Sequence, residues 1–126
     1  MECYRQAARR LFEDKEFLRR NERFATACHL YGLAAECALK ACMKSLPGSS
    51  RQLPYKHLPD IANDARRWLK SRQYKGLLLL VGKLDYMQGW DVQNRYWATD
   101  SLTEVDCNRF REHAWRTLSA ALPGAT

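Results

Sequence analysis

Phe24-Ala25-Thr26-Ala27-Cys28-His29-Leu30-Tyr31-Gly32-Leu33-Ala34-Ala35-Glu36-Cys37-Ala38-Leu39-Lys40-Ala41-Cys42-Met43 is apolar over most of a helical circumference. Alanine and leucine favour the helix, no proline interrupts the stretch, and the spacing predicts one long helix over about residues 23–45. A helix apolar nearly all round belongs at the centre of a bundle or in an interface between subunits. Pro47-Gly48-Ser49-Ser50 then ends it in a polar loop.

The flanking segments predict helices as well. Before the central stretch, Tyr4, Ala8, Leu11 and Leu18 fall at helical spacing, and Asn21-Glu22 supplies a break. After it, Leu58, Ile61, Ala62, Ala65, Trp68 and Leu69 form one stripe, with Asp64, Arg66, Arg67 and Lys70 outside it and Pro59 in the first turn. The run Leu77-Leu78-Leu79-Leu80-Val81 has the length of a buried strand, but leucine favours helix and no second strand-like segment exists to pair with it. A helix over about residues 74–87 follows, and residues 89–100 read as irregular. Ser101-Leu102-Thr103-Glu104 resembles a capping box opening a last helix, whose stripe is Cys107, Phe110, Ala114, Leu118 and Ala121. The expectation is a single all-α domain over residues 1–126, an antiparallel bundle of four or five helices.

With 46% hydrophobic and 28% charged residues, the 126-residue chain has the composition of a soluble globular domain. Its longest strictly apolar run is far below the ~20 residues of a membrane span, and its charged start lacks the apolar core of a secretory signal. A cytoplasmic location with no membrane association is expected. Five cysteines (Cys3, Cys28, Cys37, Cys42, Cys107) are an odd number and include no Cys-x-x-Cys pair. That argues for reduced thiols packed as small hydrophobes, and against a disulfide scaffold or zinc site. His29, His57 and His113 are scattered, so neither metal nor cofactor is expected.

The net charge of +7 is uneven: the first 83 residues hold 17 basic and 8 acidic side chains, and the remainder 4 and 6. Such an excess suits a polyanion, or serves only as a solubilising surface. The candidate nucleic-acid contacts are Arg66, Arg67, Lys70 and Arg72. Trp90, Tyr96 and Trp97, close to Arg95, either stack on bases or anchor the irregular segment to the core.

Tyr31-Gly32-Leu33-Ala34-Ala35-Glu36-Cys37-Ala38-Leu39-Lys40-Ala41 resembles the central helix of HEPN-domain proteins. His57-Leu58-Pro59-Asp60-Ile61 is similar to the opening of that family's third helix, and Asn94-Arg95-Tyr96 to its Arg-Tyr-Pro element, with Trp97 in place of proline. The resemblance covers nearly the whole chain in the same element order. It implies a bundle that often dimerises and works in RNA or nucleotide biology, in toxin–antitoxin, defence or nucleotidyltransferase-associated systems. Active members are metal-independent ribonucleases using arginine, four to six residues, then histidine. Histidine moves a proton near neutral pH while arginine stabilises the phosphorane charge. Beyond Arg95 those positions bring Asp100, Ser101 and Leu102, and no histidine. Arg51 with His57 fits the spacing away from the family's catalytic position, and Arg109 with His113 is one residue short.

Glu36 breaks an otherwise apolar helix, and His29, Gly32, Glu36 and Lys40 share one side of it. Either that side faces solvent with a Glu36–Lys40 pair, or Glu36 points inward to Arg95 and braces the irregular segment. Arg95, Glu36 and His57 are the catalytic candidates. Three functions are expected to compete. The first is a non-catalytic or degenerate HEPN-like bundle that binds RNA, a nucleotide or a partner protein such as a nucleotidyltransferase. The second is a metal-independent endoribonuclease centred on Arg95, and the third a dimeric interaction module with no nucleic-acid role. A homodimer is expected throughout, through the central helix or the segment around Trp90 and Trp97.

Overall fold

A computed structural model describes residues 3–20, 24–46, 56–69, 74–93 and 103–122. The described residues form five helices and no strand: α1 (Tyr4–Arg20), α2 (Phe24–Lys44), α3 (Asp60–Trp68), α4 (Lys75–Val81) and α5 (Glu104–Ala121). None of these helices is long and apolar enough to cross a membrane.

α2 is the centre of the bundle, packed against α1, α5 and α3. Its small residues let the neighbouring backbones approach: Ala27, Cys28, Ala34, Ala35 and Ala38 are fully buried, together with Tyr31, Leu39 and Met43. Most of the apolar circumference that suggested a subunit interface is therefore covered within one chain, while Leu30, Leu33, Cys37 and Ala41 stay half-buried. α1 turns Ala8, Phe12 and Lys15 into the core, while Leu11 and Leu18, expected there, are half-buried. The buried set follows a spacing of four and three residues, rotated slightly from the stripe read off the leucines.

α4 is shorter than expected. Gly82 caps it, its N–H reaching Leu78 O, and the chain continues to Trp90 in successive tight turns rather than helix. Side chains explain the change of path. Tyr86 shares a 2.8 Å hydrogen bond with Thr117 Oγ1, the Met87 N–H donates to His113 Nδ1 at 2.9 Å, and Trp90 Nε1 donates to the carbonyls of Cys28 and His29 at 3.1 Å. A straight helix would carry these three anchors away from α5 and α2. Gly32 is what admits Trp90: a Cβ there would collide with the Trp90 indole. Gly89, at φ +86°, lets the turn close before Trp90.

α5 opens two residues later than its expected cap. Thr103 is the N-cap, and the reciprocal partner is Asp106, whose carboxylate accepts from the Thr103 N–H at 3.0 Å. Ser101 lies outside the described residues. All five expected stripe residues of α5 are buried, joined by His113 and Thr117. The five cysteines are free thiols; Cys28, Cys42 and Cys107 are buried, Cys37 is half-buried and Cys3 is exposed.

Candidate functional site

The side of α2 that carries His29, Gly32, Glu36 and Lys40 does not face solvent. Trp90 covers its first half, stacked on His29 with ring centroids 5.8 Å apart. The segment entering α3 covers its second half. There Glu36, 4% exposed, accepts from three directions. Lys40 Nζ approaches one turn away at 3.3 Å, His57 Nδ1 lies 3.0 and 3.1 Å from the two carboxylate oxygens, and the Leu58 N–H donates at 3.1 Å. Buried carboxylates require such donors, because desolvation removes the water that would otherwise satisfy them.

Lys40 was expected to meet Glu36 only at the surface. It is instead 8% exposed, with its ammonium 5.8 Å from the centre of the Tyr4 ring. A salt bridge between helix neighbours is thus enclosed by α1 on one side and the α3 entry on the other. His57 differs: its side chain is about half exposed. The carboxylate fixes its Nδ1 edge and leaves Nε2 on the far side of the ring. The expected partner Arg95, with Arg51, Tyr96 and Trp97, lies outside the described residues; among those described, the side chains that meet Glu36 are Lys40 and His57.

Two further acidic side chains are engaged inside the fold. Glu16 of α1 accepts from Tyr31 Oη at 2.8 Å and Arg111 Nε at 2.6 Å, joining α1, α2 and α5. Burial opposes its ionisation, but the hydrogen bonds from Arg111 and Tyr31 prevail and hold its carboxyl below the usual range. Asp64, expected outside the α3 stripe, is 2% exposed and pairs with Lys56 at 3.0 Å and with Arg67. Burial again opposes ionisation, and the Lys56 and Arg67 hydrogen bonds outweigh it.

These pairs decide what the expected nucleic-acid contacts can do. Arg67 is held to Asp64 and Arg66 to Asn63, although both arginines are exposed. Lys70 and Arg72 lie outside the described residues. Trp90 is 3% exposed and fully occupied by α2, so it offers no face to a base; it is a core anchor. His113 is likewise a core residue. Its Nδ1 accepts from the Met87 N–H, its ring packs on Tyr86, and burial lowers its pKa.

No protein-family model, curated protein or solved structure compared with this chain matches it. Among the described residues no group of three or more metal-ligating side chains converges.

Two features escaped the sequence. Lys15 is fully buried, and Ala8, Phe12 and Lys15 at i, i+4 and i+7 would have shown it. Trp115 is 42% exposed on α5, one residue beyond the stripe position Ala114. A tryptophan at the edge of a polar helix face was the available signal.

Proposed function

We propose that this chain is a HEPN-like bundle that binds RNA and does not cut it, in a defence or toxin–antitoxin setting. The observation that carries the reading is the saturation of Glu36 by Lys40, His57 and the Leu58 N–H. A general base needs an oxygen or nitrogen free to reach the substrate proton. Glu36 instead acts as a brace, holding the entry of α3 on α2. The RNA component of the reading rests on charge. Arg5, Arg10 and Arg20 are exposed on α1, whereas Glu16, Glu36 and Asp64 are neutralised within the fold. Each of these carboxylates cancels a basic partner, so the net charge of +7 is carried by the remaining side chains, Arg5, Arg10 and Arg20 among them.

Anisotropy of a labelled single-stranded RNA titrated at several salt concentrations tests this. Binding should weaken linearly in log–log form, and Arg5→Gln with Arg10→Gln should lower the slope by roughly 0.7 per lost phosphate contact. No binding at low salt would return these charges to a solubilising role.

One observation favours the ribonuclease reading: a half-exposed imidazole oriented through Nδ1 by a carboxylate is an arrangement suited to proton transfer. RNA cleavage in the presence of EDTA that disappears in His57→Ala would select it over the brace.

The homodimer belongs to the proposal as well. This chain covers most of α2 itself, and Leu84 and Val105 are among the apolar residues left exposed for such an interface. Light scattering across micromolar concentrations decides between dimer and monomer.

A further inference from the structure

Trp115 stands between two grooves, and nothing in the brace around Glu36 accounts for it. On one side, α1 and α5 enclose a groove of about 350 Å³ lined by Arg9, Phe12, Glu13, Glu16, Arg20 and Trp115. On the other, α4 and α5 enclose one of about 580 Å³ that includes Leu79, Lys83, Trp115 and Arg116. Both fall within the ~300–1,000 Å³ typical of small-ligand sites. Phe12 supports the indole from below, ring centroids 5.5 Å apart, and 42% of Trp115 remains open to solvent. Arginine borders the aromatic surface: Arg9 is half-buried in the groove lining, and Arg20 is exposed about three turns further along the same side of α1, its Nε donating to the Glu16 carbonyl at 3.3 Å.

We infer that this groove is a base-stacking subsite for single-stranded RNA, with Trp115 as the platform and Arg9 and Arg20 as the phosphate contacts. The inference rests on the RNA-binding reading above and assigns its site. Three observations support it. First, an exposed indole supported from beneath matches what a nucleobase stacks on, and such stacking tolerates any base. Second, Arg9 and Arg20 line the same groove as the indole, and a guanidinium beside a stacking platform meets the phosphate of the stacked nucleotide through a charge-assisted hydrogen bond. Third, the acidic lining does not cancel this. Glu16 is already bound by Arg111 and Tyr31, which leaves Glu13 as the one exposed carboxylate of the lining. A carboxylate accepts hydrogen bonds only, so Glu13 favours bases with an exocyclic amino group, which offers two N–H donors against the single imide N3–H of uracil. Past Trp115, Lys83 borders the second groove beside Arg116, which is paired with Glu112 at 2.8 Å, and receives the neighbouring phosphate.

The test uses the whole chain, a ten-nucleotide single-stranded RNA and an abasic oligomer of the same length and charge. Trp115→Ala should weaken the base-bearing RNA roughly tenfold or more and leave the abasic oligomer unchanged, while Trp115→Phe stays close to wild type. Arg9→Gln with Arg20→Gln should weaken both ligands alike and reduce the salt slope. Glu13→Gln should narrow the preference for an adenine–cytosine oligomer over oligouridine. Unchanged RNA affinity in Trp115→Ala overturns the subsite while leaving the RNA-binding reading intact. An equal loss on both ligands overturns it as a loss of fold, which thermal melts of the Ala and Phe variants would register. A shift from dimer to monomer in Trp115→Ala with RNA affinity retained overturns it in favour of a self-association face. Wild-type protein that binds neither oligomer removes the RNA reading itself, and the subsite with it.

Discussion

Glu36 and Lys15 are both charged side chains sealed inside the bundle, and the fold treats them oppositely. Glu36 receives an ammonium, an imidazole and a backbone N–H within 3.3 Å. Lys15 Nζ is fully buried with no hydrogen-bond partner, and burial lowers its pKa from 10.5 to about 8, with Asp14 pulling weakly the other way. The comparison separates two uses of a buried ionisable group. Glu36 joins parts of the chain that local structure does not hold together. Lys15 contributes its aliphatic stem to the α1 packing face, and its amine is a cost carried along with that stem.

The largest test of this contrast is Glu36→Leu. It strands Lys40 in a desolvated site and should destabilise the protein by about 3–5 kcal/mol in urea melts. Adding Lys40→Met should recover part of that loss, so that the double variant costs less than the two single changes together. A loss below about 1 kcal/mol for Glu36→Leu would erase the distinction between the two sites.

Lys15→Met should act with the opposite sign, stabilising by about 1–2 kcal/mol, since methionine keeps the volume and removes the ammonium. The same variant sharpens the contrast through pH. With a folded pKa of about 8 against 10.5 for the free side chain, the unfolded state binds more protons between those values. The penalty is therefore complete below pH 8 and fades as pH rises toward 10.5. The stability gap between Lys15→Met and wild type should close over that window; tyrosine and cysteine ionisations are common to both proteins and cancel. A gap that stays constant with pH would mean that Lys15 keeps its ordinary pKa and meets water.

His57→Ala is the smallest effect. It removes the most exposed of the three donors to Glu36 and leaves Lys40 and the Leu58 N–H, so a loss of about 1 kcal/mol is expected from chemical denaturation. A loss approaching that of Glu36→Leu would make the imidazole, rather than the lysine, the principal partner.

A cation beside Glu36 was legible, because both readings of that side of α2 gave the carboxylate one, Lys40 at the surface or Arg95 inside. Its identity was not. Lys40 is visible at i+4, yet whether that side of α2 is surface or interior depends on the α3 entry and on Trp90, which dock from elsewhere in the chain. The aromatic cluster near residue 90 offered two roles to Trp90, and only its indole hydrogen bonds to the Cys28 and His29 carbonyls select the core. Similarly, the leucines of α1 pointed to a stripe that the packed helix rotates toward Phe12 and Lys15.

What the sequence determined by itself is local and periodic. Recurrent alanine and leucine made α2 a central helix, and the stripe of Cys107, Phe110, Ala114, Leu118 and Ala121 oriented α5. Both depend on neighbours three and four residues apart. Tertiary structure decided which polar groups are satisfied and which aromatic is exposed. The donors to Glu36 other than Lys40 come from 21 and 22 residues away, and the carbonyls that hold Trp90 from 61 and 62. Spacing along one helix carries no information about such distant partners, because they are chosen by the packing of whole faces rather than by the periodicity that forms them.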